Sequence, residues 1–332
     1  MKRILIIGRN SNFNLEYFMI NAFKRVGCEV KFLGYADLLN DRYHESIRML
    51  WSRSKLAREL STPIWLKKIN EVYLSTSFSY NPDVILSVKG ETLLPKYIDK
   101  IKNNVNSNIT LWFPDDPRFF NSLVKDIAPH YDTIFTCSKN AINLYSSILV
   151  DNVYRLPFGC DPYIHKGMIN IQSMKKRALF IGTFSPKRYR FLKSLIKLGV
   201  PLDIIGSKWS SFLSGHVVRD AVTGFEYTKT IQSYPMVINL HQDINYGPNM
   251  RTFEVTGSGG VLISDRSEDI TDFFRDNKEI MIYDSIREAA EKIKLMLNDT
   301  ELLLNFSKLS QDRCYKFNTY DQRVKELLYH IK

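Results

Sequence analysis

Near-continuous apolar, β-branched runs of strand length alternate with stretches of helical period along the first half of the chain. The runs are Arg3–Gly8, Glu29–Gly34, Asp83–Val88, Ile109–Phe113 and Thr133–Cys137, and Leu15–Val26 and Leu93–Asn103 are two of the helical stretches between them. Strands buried on both faces of a parallel sheet lose the in–out alternation of a half-exposed strand and read as unbroken hydrophobic runs. Leu156-Pro157-Phe158-Gly159-Cys160-Asp161-Pro162 is a turn-rich exit from the last strand of this half, and residues 163–176 show no periodicity. The alternation restarts at Arg177. Ala178–Gly182, Leu202–Gly206, Met236–Leu240 and Val261–Asp265 read as strands; Arg188–Leu198, Met250–Gly257, Ile286–Leu297, Glu301–Phe317 and Tyr320–Ile331 read as helices.

Strands alternating with helices predict right-handed βαβ units and doubly wound α/β sheets. The expected organisation is two Rossmann-like domains facing a central cleft. Residues 1–160 form the first, 161–176 a linker and 177–318 the second, with 319–332 a helix returning to the first domain. Ligands of such sheets bind beyond the carboxyl ends of the strands, so a cleft there suits a nucleotide and a second substrate.

The chain has 332 residues, 24% charged and 44% hydrophobic, which fits about two globular domains and excludes collagen-like and disordered classes. No apolar run approaches the ~20 residues of a membrane-spanning helix. Met1-Lys2-Arg3-Ile4-Leu5-Ile6-Ile7-Gly8 is too short in its apolar part for a signal peptide and reads as a first strand, so the expected location is cytoplasmic. The four cysteines (Cys28, Cys137, Cys160, Cys314) are scattered and predict free, mostly buried thiols rather than a zinc site. The six histidines have no metal-ligand spacing, and the expectation is an enzyme with no bound metal. A formal charge of +11 suggests an anionic partner: a phosphate-bearing substrate, an anionic membrane face or nucleic acid.

Three stretches carry candidate chemistry. In the first, Asn245 to Asp265, Gly247-Pro248-Asn249 is a turn and Asn249 a plausible N-cap for a helix beginning at Met250. Free amides at that helix start suit a diphosphate. Arg251 and Glu254, three apart on one helix face, suit a phosphate and a pair of ribose hydroxyls, although an ordinary surface ion pair has the same spacing. In the second, Gly182-Thr183-Phe184-Ser185-Pro186-Lys187-Arg188-Tyr189-Arg190 leaves a strand and opens a helix, with Arg188 the first choice for a phosphate ahead of Lys187 and Arg190. Its glycines match neither Gly-x-Gly-x-x-Gly nor a Walker A loop. In the third, Trp112-Phe113-Pro114-Asp115-Asp116-Pro117-Arg118 sets two carboxylates at the carboxyl end of a strand. Adjacent side chains diverge, so one of Asp115 and Asp116 is a candidate general base and the other suits a turn or capping role.

Weaker signals follow two other strands. Arg9 and Asn10 lie after the first, Lys89 and Glu91 after the third, and all four are candidate acceptor-binding residues. His241 closes a strand and reads as a core or capping histidine. Residues 42–68 carry seven basic and two acidic side chains interleaved with Trp51, Leu56, Ile64 and Trp65. That mixture fits a solvated helix with one buried face, or contact with a membrane or nucleic-acid backbone. No Gly-x-Ser-x-Gly or His-Glu-x-x-His motif supports a hydrolase.

Arg251-Thr252-Phe253-Glu254-Val255-Thr256-Gly257-Ser258-Gly259-Gly260-Val261-Leu262 resembles the donor-binding signature of GT-B glycosyltransferases, in particular the group containing the CgeB-like spore proteins. The stretches 112–118 and 156–162 resemble the same group, in the same order along the chain. The resemblance implies a nucleoside diphosphate sugar, a UDP-sugar foremost, held by the C-terminal domain, with a hydroxyl acceptor on the N-terminal one. Glu254 would bind ribose, Arg251 and Arg188 the diphosphate with Gly182 and Thr183 close by, and Gly206, Lys208, Gly224 and Phe225 would lie near the base. Tyr246 stands where many retaining members carry the first of two glutamates, eight positions before the match to Glu254. A Phe-x-Asp loop and an Arg-x-aromatic-Glu helix also resemble a phage DNA β-glucosyltransferase, an inverting enzyme whose loop Asp is the base. That likeness implies Asp115 as base and admits modified duplex DNA as acceptor beside a glycan or glycolipid. A non-catalytic protein keeping the same fold is the third reading.

Overall fold

The structure is a computed structural model that describes residues 1–10, 12–39, 54, 63–209, 212–241, 247–267 and 269–331. The chain divides into two units: Met1–Pro157 with Tyr320–Lys332, and Phe158–Thr319.

The first unit is built on a six-stranded sheet of β1 (Arg3–Gly8), β2 (Glu29–Gly34), β3 (Val84–Val88), β4 (Asn108–Phe113), β5 (Thr133–Thr136) and β6 (Val153–Arg155), in the order β2-β1-β3-β4-β5-β6. Every neighbouring pair is parallel. β3 is buried along its whole length, as its sequence Val-Ile-Leu-Ser-Val requires of a strand covered on both faces. Leu5, Ile7, Ile85 and Leu111 form one core with Tyr73, Ile98 and Tyr145 from the helices. Each such side chain contributes about 1.5–3 kcal/mol by leaving water. The C-terminal helix Tyr320–His330 belongs to this unit. It packs on the helix Leu15–Arg25, where the Tyr320 and Phe18 rings stack 5.2 Å apart and Arg25 Nε donates to Asp321 Oδ1 at 2.8 Å.

The second unit repeats the plan with β7 (Ala178–Ile181), β8 (Leu202–Ile205), β9 (Val217–Arg219), β10 (Met236–Asn239), β11 (Val261–Asp265) and β12 (Met281–Tyr283) in the order β12-β11-β10-β7-β8-β9, again all parallel. Phe180, Ile204, Ile238 and Ile263 meet Phe191, Leu195, Ile293 and Phe306 from the flanking helices. Residues 161–176 pack within this unit: Ile169 joins its core, and Gln232 Nε2 donates to the Lys166 carbonyl at 2.7 Å.

Strand order fixes where ligands can sit. In the first unit the winding reverses between β1 and β3, in the second between β7 and β10. At such a switch point the loops leave in opposite directions and open a crevice at the carboxyl ends of the strands.

The remaining differences from the sequence reading are local. The helix expected at Arg188 begins two residues earlier, at Pro186, because the Ser185 hydroxyl caps it by accepting from Arg188 N at 3.3 Å and proline suits its first position. Of residues 42–68, most lie outside the described part, and Ile64–Lys68 begin a helix that runs to Tyr80. Tyr246 and Asn245 also lie outside it. The cysteines are free, three buried and Cys28 half-buried.

Candidate active site

Beside the switch point of the second unit, the loops after β7 and β8 are hydrogen-bonded to each other. Gly182 N donates to the Ile205 carbonyl at 2.9 Å, Phe184 N to the Ser207 carbonyl at 3.0 Å, and Trp209 Nε1 to the Gly182 carbonyl at 2.7 Å. Gly206 has φ +150°, and a Cβ there would fall 2.1 Å from the Gly182 oxygen, so the approach requires glycine. Trp209 is buried and sets its ring edge-on against Phe180 and Phe184. Thr183 and Ser207 hydroxyls meet at 3.2 Å on the exposed side of this junction.

Two guanidinium groups converge on Gly182. Arg188, 6% exposed, donates through Nη1 to the Thr183 carbonyl at 2.9 Å and through Nη2 to the Leu240 carbonyl at 3.3 Å. Arg251 donates through Nη1 to Asn239 Oδ1 at 2.9 Å. A Cβ placed on Gly182 would lie 3.2 Å from Arg188 Nη1 and 3.2 Å from Arg251 Nη2, so the two cations flank one small backbone position. Both guanidiniums also sit over the Phe180 ring, at 5.5 and 6.0 Å. Lys187 and Arg190, on neighbouring positions of the same helix, are exposed.

The opening of the helix Met250–Gly257 is held by the same strand. Asn249 Oδ1 accepts from Thr252 N at 3.2 Å as its N-cap, and Asn249 Nδ2 donates to Asn239 Oδ1 at 3.0 Å. Asn239 is fully buried in β10 and uses both ends of its amide, the other donating to Ser264 Oγ at 3.0 Å. Met250 is half-buried at the helix start. One turn on, burial pushes the Glu254 carboxyl up to about 7, opposed by the nearby Arg251 charge and the Tyr227 hydroxyl. Tyr227 comes from the helix Gly224–Gln232, which Gly224 opens at φ +60°; Phe225 beside it is 52% exposed, and Lys208 is exposed. Asn239 and Tyr227 were not singled out in the sequence. An asparagine inside an apolar strand, three residues after Met236, is the one signal that could have found the first.

In the first unit, the candidate residues gather at the β1/β3 switch point and the adjacent end of β4. Arg9 N donates to Glu16 Oε1 at 2.8 Å, and Glu16 is a buried carboxyl whose pKa burial raises. Asn10 accepts through Oδ1 from Asn14 Nδ2 at 2.6 Å. Lys89 takes a left-handed turn, φ +66°, that sends its ammonium to Asp115 Oδ2 at 2.6 Å. Glu91 is half-buried two residues on. The paired aspartates diverge as adjacent residues must. Asp115 is about a third exposed, whereas Asp116 is 3% exposed and accepts from Tyr145 Oη at 2.6 Å. Burial pushes the Asp116 carboxyl up to about 7, opposed by the hydroxyls of Tyr145 and Thr136. Among the described residues no cluster of three or more His, Cys, Asp or Glu could hold a metal ion.

Two doubly wound, all-parallel six-stranded units in tandem define the GT-B fold, and solved structures of that fold match the whole chain. Sucrose-phosphate synthase from Thermosynechococcus elongatus matches with a TM-score of 0.71 at 9% identity, covering 99% of this chain and 98% of that one. HepE from Anabaena, in complex with UDP-glucose, matches at 0.67 and 12% identity, covering 99% of this chain and 100% of that one. TarM of S. aureus, a variant in complex with fondaparinux, alpha-GlcNAc-glycerol and UDP, matches at 0.67 and 11% identity over 100% of both chains. A family model described as glycosyl transferase-like matches residues 187–329, the stretch that carries Arg188, Arg251 and Glu254. No curated protein matches the chain.

Proposed function

We propose that the protein is a glycosyltransferase that moves a sugar from a nucleoside diphosphate donor to a hydroxyl acceptor. The observation that carries this reading is the pair of guanidiniums flanking Gly182, of which Arg251 lies one helical turn before Glu254. Two cations oriented by carbonyls and an amide beside one small backbone position are arranged for an anion of two or more charges. Glu254 then takes the ribose hydroxyls, and the exposed Lys208–Phe225 side of the unit takes the base. UDP is the favoured nucleotide, because HepE and TarM are described in complex with it.

In this reading the second unit binds the donor and the first the acceptor. When the bond between the anomeric carbon and the diphosphate oxygen breaks, the electron pair stays on the diphosphate. Arg188 and Arg251, already oriented, stabilise that charge without reorganisation. Asp115 accepts the acceptor's hydroxyl proton. It is the accessible member of the aspartate pair, and the Lys89 ammonium 2.6 Å from its Oδ2 aims it. A single displacement with Asp115 as base inverts the anomeric centre, as the likeness to the phage enzyme implies. The acceptor is a glycan or glycolipid precursor, a class to which the alpha-GlcNAc-glycerol of the TarM complex is chemically close. The CgeB-like group remains the finer affiliation we propose, with a cytoplasmic location; no described helix is long and apolar enough to cross a membrane.

The test is donor turnover. UDP release from a panel of UDP-sugars, with water and with glycan acceptors, is expected for one donor and is expected to fall at least a hundredfold in Asp115→Asn. Absence of turnover with every nucleoside diphosphate sugar, by protein that binds none of them, contradicts the reading and favours a non-catalytic binding module.

A further inference from the structure

Of three consecutive residues at the carboxyl end of β10, two hold the guanidiniums at the switch point and the third is tied to β11. The Asn239 side chain holds Arg251, and the Leu240 carbonyl holds Arg188. His241 is held in turn. Its backbone N donates to the Asp265 carboxylate at 3.1 Å, and its Nδ1 lies 2.7 Å from Asp265 Oδ1 at the end of β11. A carboxylate can only accept, so Nδ1 carries the proton, and the ring's other nitrogen, Nε2, is left for another partner. His241 is 4% exposed, and Nε2 is fully covered yet has no hydrogen-bond partner. A histidine with a purely structural role would be expected to satisfy both ring nitrogens, because a buried polar atom without a partner is costly.

We propose that His241, oriented by Asp265, is a further diphosphate-binding residue of the donor site, its Nε2–H donating to a phosphoryl oxygen of the nucleoside diphosphate. This rests on the donor-site reading above. As the bond from the anomeric carbon to the diphosphate oxygen breaks and its electron pair moves onto the diphosphate, Nε2–H strengthens its hydrogen bond; the proton stays on nitrogen. Among the described residues, the charged or titratable groups near His241 are Asp265 on β11, Arg188 and Arg251 through their contacts to residues 240 and 239, and Tyr283 on β12, whose hydroxyl donates to the Asn239 carbonyl at 2.7 Å.

The experiment is an NMR pH titration of the histidine side chains, with His241→Gln assigning the resonance, on the free protein and with saturating UDP or uridine, binding being measured by calorimetry on the same samples. The expected result is that UDP raises the His241 pKa by about one unit, equivalent to about tenfold tighter binding by the protonated form, that uridine leaves it in place, and that Asp265→Asn reduces the shift. If UDP binds and the His241 pKa does not move, the inference is overturned and the donor site stands. If no nucleoside diphosphate binds at all, the donor-site reading falls and the inference falls with it.

Discussion

Asn239 Oδ1 lies 2.9 Å from Arg251 Nη1 and 3.0 Å from Asn249 Nδ2, so one buried amide on β10 aims a cation and anchors the N-cap of the helix that carries Glu254. Asn239→Leu preserves the volume and removes the acceptor. Hydrogen bonds to charged groups are worth about 1.5–3 kcal/mol, so the KM for the donor should rise at least tenfold. Steady-state kinetics at fixed acceptor, with a melting curve to show that the variant is folded, checks this.

Donor affinity should depend on pH through Glu254. Its carboxyl is pushed up to about 7 by burial, against the pull of Arg251 and Tyr227. Only the ionised form offers both oxygens as acceptors to a pair of hydroxyls. Affinity should therefore climb as pH rises from about 5.5 to 7 and level off above, and Glu254→Gln should bind weakly and lose this part of the profile. Calorimetric titration with UDP across that range separates the two. The same pH profile in wild type and Glu254→Gln would assign the ribose to another group.

The two aspartates of the β4 loop should separate cleanly. Asp116 is buried against Tyr145, and its pKa is raised to about 7, chiefly by burial. The folded state thus holds a proton that the unfolded chain, near 3.9, releases, so stability of the first unit falls as pH rises between about 4 and 7. Asp116→Asn keeps an acceptor for the Tyr145 hydroxyl and removes the charge. It should flatten that slope and keep most of the activity, whereas Asp115→Asn should lose activity with little change in stability. Denaturant melts at pH 5 and 8, paired with turnover, give both readouts.

His165 should give the second unit the opposite slope. It is buried, its Nδ1 accepts from Asp161 N at 3.0 Å, and burial lowers its pKa to about 3. Between that value and about 6.5, the unfolded chain binds the extra proton and the folded chain does not, so stability rises with pH there. It is fully present above about 6.5 and lost at up to about 1.4 kcal/mol per unit as pH falls towards 3. Urea melts of wild type and His165→Gln from pH 7 to pH 5 should converge as the pH is lowered.

Much of the framework was legible because long buried strands have a distinctive composition. Arg3–Gly8, Glu29–Gly34, Val261–Asp265 and the helix Met250–Gly257 have the same limits in sequence and structure. Val153–Arg155, Val217–Arg219 and Met281–Tyr283 were not delimited, because three residues carry no period, and Val217–Arg219 is an exposed edge strand. The helix Gly224–Gln232 was also missed, since glycine and three threonines or aromatics in its first turns weaken any helical signal. At the site, Arg188, Arg251 and Glu254 stood out because each sits within a turn of a helix start after a strand. Asn239, Tyr227 and the Asp265 partner of His241 did not. Their roles depend on residues 10 to 27 positions away in the chain that only the parallel pairing brings together.

If the second unit binds a nucleoside diphosphate through Arg188, Arg251 and Glu254, calorimetric titration with UDP should give saturable one-to-one binding to the wild type that weakens at least tenfold in each of Arg188→Ala, Arg251→Ala and Glu254→Ala, all folded. Binding that is unchanged in all three variants would contradict it.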